Sequence, residues 1–228
     1  MFNMQQVQLE DIVDVQDILN KAAHDTKTPK VILIGAAYLY TFHLDDFEQV
    51  RKFNILGRYD IRAVKQWHVC LERWCNDQTV TLGGKTFKPI AIDNNFKRVT
   101  NEGMEMIANT FVGGSGAYFK YRSIGDGDID EVSPSDTTLV HEVDRIDVTA
   151  DSEGGSISRD GTTIYSIGNH LKTVPTPANG VFTECGMHNT DLPSTDKMLD
   201  HSAFEEPIPH TQNADAPGST TVIFMCSA

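Results

Sequence analysis

The densest run of ligand-type side chains is Gly125-Asp126-Gly127-Asp128-Ile129-Asp130-Glu131. Carboxylates at alternate positions suit Ca²⁺, a hard cation that takes oxygen ligands. Asp126, Asp128 and Asp130 match the opening of an EF-hand loop, and they form the calcium candidate. The match then stops. The sixth loop position is Glu131 instead of Gly, and the twelfth is Thr137 instead of Glu. The chain on both sides is strand-like. The run therefore reads as a metal-free turn between strands, with residues 125–136 facing solvent or a subunit contact.

Other chemistry is weaker. Gly113-Gly114-Ser115-Gly116 follows a helical segment, whereas a phosphate cradle follows a strand and opens a helix, and no Walker Lys comes after it. Eight histidines are present without HExxH or a nucleophile elbow. His141 and Asp144 with Ser166 or Ser202 are the set from which a small hydrolase could be assembled. Cys70, Cys75, Cys185 and Cys226 form no CxxC pair and read as reduced core thiols. No catalytic residue and no cofactor is expected.

These groups need a frame. A first helix is expected over 9–23, from the spacing of Leu9, Ile12, Ile18 and Leu19. Val31-Ile32-Leu33-Ile34 reads as a buried strand, while 35–40 fits strand or helix equally. Helices are expected at 45–56 and after Asp60, where Ile61, Val64, Trp67, His68, Leu71, Trp74 and Cys75 form one stripe that reads as core. Gly83-Gly84 between 79–82 and 85–88 predicts a tight hairpin. A further helix over 101–112 is expected to pack through Met104, Ile107 and Phe111. Strands are expected at 117–124, 139–149, 163–167, 181–187 and 220–226, with long loops at 173–180 and 205–218. The fold class is α+β: a helix-rich region over 1–97, with its hairpin near 79–92, and an antiparallel β-sandwich domain with a leading helix over 98–228.

With 228 residues the chain can bury a core without staples. Its 19 Lys plus Arg against 32 Asp plus Glu give a net charge of −13. That argues against nucleic acid and against an anionic membrane surface as partners. The longest apolar run, 31–42, falls short of the ~20 residues a bilayer span needs. The N-terminal residues carry no basic segment followed by an apolar block, so no signal peptide is expected.

From Val99 onward a pattern accumulates. Val99-Thr100-Asn101-Glu102-Gly103-Met104-Glu105-Met106-Ile107 is followed by Gly125-Asp126-Gly127, then by Leu139, Glu142 and Arg145. Phe182-Thr183-Glu184-Cys185-Gly186-Met187 comes next, then Met198, Leu199, His201 and Phe204, and last the apolar strand 221–225. In order and spacing this resembles uncharacterised virion structural proteins of tailed bacterial or archaeal viruses, over about residues 98–226. The resemblance implies a virion component of the tail, neck or capsid surface, assembled in the host cytoplasm from repeated copies beside other virion proteins. It implies no catalytic residues. Glu142, Arg145 and Glu184 are expected on adjoining strands, where an Arg–carboxylate pair could lock the sheet, with Gly186 allowing a close backbone approach. Net charge would oppose unprogrammed association, leaving assembly to specific geometry. The rival readings are a carbohydrate- or calcium-dependent binding module on a virion or cell surface, and the small hydrolase.

Overall fold

The apolar run that begins at Val31 is one strand throughout. β1 (Val31–His43) alternates buried residues between two cores, which settles 35–40 as strand. The computed structural model describes residues 31–56, 61–96, 98–112, 119–129, 131–147, 156–160, 163–170, 180–191 and 196–227. After β1 come α1 (Leu44–Leu56), α2 (Ile61–Cys75), the hairpin β2 (Val80–Leu82) and β3 (Lys85–Phe87), β4 (Ala91–Phe96) and β5 (Arg98–Val99). α3 (Asn101–Phe111) precedes β6 (Tyr121–Gly125), β7 (Glu142–Asp147), β8 (Ser156–Asp160), β9 (Thr163–His170), β10 (Gly180–His188), β11 (Met198–His210) and β12 (Asp215–Ser227). The helix expected over 9–23, the glycines 113–116 and the loop 173–179 lie outside the described residues. Among those described, no helix is long and apolar enough to cross a membrane.

The chain is α+β with antiparallel sheets. One sheet has the order β4-β1-β12-β9-β8 and a second the order β5-β11-β10-β6-β7. β1 pairs with β12 along all 13 of its residues, from Val31 opposite Ser227 to His43 opposite Asp215. That pairing runs across the expected division at 97/98. β1 and β4 come from the N-terminal region, yet they complete a sheet with β8, β9 and β12. Hydrophobic alternation marks a strand without choosing its neighbour, and the neighbour here is at the other end of the described chain.

The long loop expected over 205–218 is also corrected. It is the end of β11, a short turn and the start of β12. In the turn Asn213 takes a positive φ of 63°, and the Ala214 and Asp215 amides donate to Thr211 O. The turn carries the chain from the second sheet to the first. Its prolines suggested a loop, but each sits where pairing is interrupted or one-sided. Pro207 falls in a register shift between β10 and β11, and Pro217 faces Thr41 beyond the reach of β9, which first pairs at Ser219.

α2 lies on the first sheet. Trp67, Leu71 and Trp74 bury with Tyr38, Tyr40, Phe42, Phe47 and Phe87, so the stripe is core as expected. Polar ties fix its seat: Tyr38 Oη bonds Glu72 and lies 2.9 Å from His68 Nε2, and Trp67 Nε1 donates to Thr220 Oγ1 at 3.2 Å. The β2–β3 hairpin turns on Gly83 and Gly84 at φ 57° and 86°, which L side chains disfavour. A second cluster draws Ala37 and Leu39 from β1 together with Ile124, Phe182, Cys185, Phe204 and Ile208 from the other sheet.

Thr100 caps α3. Its Oγ1 accepts the Gly103 amide at 3.0 Å and donates to Met198 O. The face expected of this helix is partly wrong. Ile107 packs against Met187 and Leu199, but Met104 is 55% exposed, and the Phe111 side chain is not among those described. Gly103 replaces Met104 at the contact, since 103 and 107 share a helix face. A Cβ on Gly103 would come 2.5 Å from Leu199 O. Gly103→Ala is therefore expected to destabilise by about 1–3 kcal/mol, although Ala is the better helix former. Urea unfolding checks it, and a gain in stability would mean the helix is free to shift.

Candidate functional site

Two rows of residues run across one face of the second sheet. His201, Gly186, Ser123 and Arg145 are register partners along β11, β10, β6 and β7. Ala203, Glu184, Gly125 and Glu142 form the next row. Residues two apart on a strand share a face, and a register shift between β6 and β7 brings Glu142, three residues from Arg145, to the same side, so these rows make one polar surface. The segments 126–129 and 131–141 cross it as a strap, with Leu139 buried over Gly186.

Glu184 holds the strap. Its Oε1 accepts the amides of Gly127 at 3.2 Å and His141 at 2.9 Å. Its Oε2 accepts the Val140 amide at 3.0 Å and meets His201 Nε2 at 2.9 Å. Four partners fill the lone pairs of both oxygens. The other ring nitrogen of His201 lies 2.7 Å from Asp136 Oδ2, and the Ser133 amide donates to the same oxygen at 2.8 Å. Glu184 and His201 are buried. Burial pushes the Glu184 carboxyl up, but His201 and the backbone donors outweigh it and hold it below the ordinary carboxylate value. Burial likewise pulls His201 down, and Glu184 and Asp136 outweigh that and raise it.

The glycines of this region are steric necessities. A Cβ on Gly125 would stand 2.5 Å from His141 O, and one on Gly127 would stand 2.5 Å from Glu184 Oε1. Both are buried within the chain itself, which corrects at these two positions the expectation of a loop facing solvent or a subunit contact. Its acidic tips face out, as do Pro134 and Ser135. Asp126 is exposed and pairs with His141, Asp128 is exposed, and Asp130 lies outside the described residues. Among those described, no group of three His, Cys, Asp or Glu side chains is placed to hold a metal ion.

Arg145 pairs with Glu142 of its own strand, through its Nε at 2.7 Å, so the pair does not link adjoining strands as expected, and Arg145 does not pair with Glu184. It also reaches Thr190 O at 2.6 Å and Asp196 Oδ2 at 2.8 Å. Asp196 in turn lies 2.5 Å from His188 Nδ1, close but not aligned as a hydrogen bond. His188 Nε2 meets Ser123 Oγ at 2.7 Å. Burial raises Asp196, and His188 and Arg145 overcome it, so that its carboxyl sits below the usual range. On the opposite face, Arg122 is buried and joins the two sheets, donating to Ser219 Oγ and to Cys185 Sγ, each at 2.9 Å.

Sequence reasoning expected Glu142, Arg145 and Glu184 on adjoining strands, but β6 stands between β7, which carries Glu142 and Arg145, and β10, which carries Glu184 and Gly186. That reasoning missed Ser123, Asp136, His188 and Asp196, which no motif marks. The set imagined for hydrolysis is not assembled. His141 turns to Asp126, Ser202 is buried opposite Cys185, and the side chain of Ser166 is not among those described. Against known proteins, the chain matches no family model, no curated protein and no solved structure.

Proposed function

We propose that the chain is a structural subunit of a tailed-virus particle, present in repeated copies in the tail, neck or capsid surface and contacting other virion proteins. One observation carries the reading. The residues of the resemblance motifs, scattered over a hundred positions, converge on one buried latch. Thr100 and Gly103 dock on Leu199, Gly125 and Gly127 close on Glu184, Leu139 covers Gly186, and His201 bonds Glu184. Such motifs specify a fold. The apolar cluster shared by β1, β6, β10 and β11, together with the Arg122–Ser219 bond, supports a β-sandwich built from both sheets. The chain makes its contacts with proteins, with no role for nucleic acid or membrane.

Light scattering on the purified chain and mass spectrometry of purified particles test this. A specific oligomer and a fixed copy number per particle are expected. A monomer at all concentrations that is absent from particles overturns it.

A hydrolase is favoured by a single observation, the Ser123–His188–Asp196 contacts. Against it, Ser123 and His188 are fully buried, and Ser123 sits mid-strand without an elbow. A fluorophosphonate probe decides. Labelling at Ser123 would establish the hydrolase, and no labelling is the expected result.

A further inference from the structure

We propose that Glu184, His201 and Asp136 form a proton-operated latch, which keeps the strap, 126–129 and 131–141, closed over the second sheet while His201 is charged and loosens it when His201 loses its proton. This does not depend on where the chain is used.

The geometry makes His201 the joint. It bridges a carboxylate on β10 to a carboxylate on the strap, at 2.9 and 2.7 Å, with its ring buried. Each carboxylate organises strap backbone. Glu184 takes the amides of Gly127, Val140 and His141, and Asp136 takes the Ser133 amide that closes the 133–136 turn. A charged imidazole donates from both nitrogens and suits two acceptors. A neutral one donates from a single nitrogen, so one carboxylate must then face a lone pair. Asp136 is the weaker hold, because it meets the sheet through His201, whereas Glu184 also ties sheet to strap through three strap amides.

The groups facing His201 are few. Glu184 comes from β10, and Asp136 from the strap. His141 meets Glu184 through its own amide, and its ring pairs with Asp126 in the open. Asp200 precedes His201 on β11 and lies near Arg122, 3.9 Å from Nη1. Arg98 on β5 is its register partner. His188 and Ser123 lie beyond Gly186 in the same face.

The direction follows from the two shifts. His201 is raised, so its contribution is complete below the ordinary histidine value and is lost as pH climbs through the raised one. Glu184 is lowered, so its contribution persists above the ordinary carboxylate value and is lost only as pH falls through the lowered one. The strap is most firmly shut between those limits, and the alkaline side is opened by one proton. Opening lifts Leu139 from Gly186 and frees the amides that Glu184 holds.

Amide hydrogen exchange on the full chain tests this. Protection factors for Gly127, Val140 and His141 are measured from roughly pH 6 to pH 9, spanning the titration of a raised histidine, with β1 amides as reference. Wild type should lose protection at these three amides by about tenfold, while β1 holds. His201→Gln should begin weakly protected and show no such step. His141→Gln should keep the wild-type profile, which separates the buried ring from the exposed one. Should His201→Gln fail to fold, Asp136→Asn serves: it should move the step to lower pH. Flat protection in wild type, or a step unmoved in Asp136→Asn, overturns the latch. So does a step that survives in His201→Gln or disappears in His141→Gln.

Discussion

Glu184→Gln lowers the thermal midpoint of the chain by about 10 °C. The carboxylate is buried with four donors aimed at it. Gln brings an NH₂ group, and whichever oxygen it replaces has two of those donors aimed at it. The charged histidine also loses its closest counter-charge. Breaking one side of a buried, hydrogen-bonded charge pair costs about 3–5 kcal/mol. In a chain of this length each kcal/mol moves the midpoint by roughly 2–4 °C. Circular dichroism melts at neutral pH measure it. A shift under about 2 °C would mean that the strap docks by packing alone, through Leu139. Glu142→Gln is the comparison. Glu142 is only half-buried, and Arg145 keeps Asp196 and Thr190 O, so about 1 kcal/mol is expected there.

Trp74→Ala should remove a similar amount from the other side of the molecule. Trp74 is 2% exposed, with its ring edge-on to Phe42 at 5.2 Å and to Trp67 at 5.6 Å. Its Nε1 donates to Phe87 O at 3.1 Å, which ties α2 to the β2–β3 hairpin. Truncation leaves a cavity and an orphaned carbonyl, for a loss of about 3–5 kcal/mol. Urea unfolding gives the number. Trp74→Phe, which keeps much of the ring volume and loses the hydrogen bond, should cost less. A loss under about 1 kcal/mol in Trp74→Ala would mean that α2 is not fastened to the first sheet as described. Because the two sites share no partner, a Glu184→Gln, Trp74→Ala double variant should lose the sum of the two.

Much of the local structure was legible in the sequence because its causes are local. Gly83-Gly84 supplies the positive φ that a two-residue hairpin needs. Thr100 caps the helix that follows it, and Trp67, Leu71 and Trp74 recur at the period of one helix face. Three things were not legible, and each is a relation between distant residues. Alternation in 31–43 identified a strand but not its partner, which lies at 215–227. Prolines in 205–218 suggested a loop, because their damage to a strand depends on which edge is already paired. Asp196 carries no signature, and it matters only because folding sets it between Arg145 and His188. Glu184 falls between the two cases. The sequence by itself determined that a carboxylate stands beside Gly186 on a strand. Only the tertiary structure decided that three backbone amides and a histidine converge on it, because strand register and the path of the strap, not residue type, aim those donors.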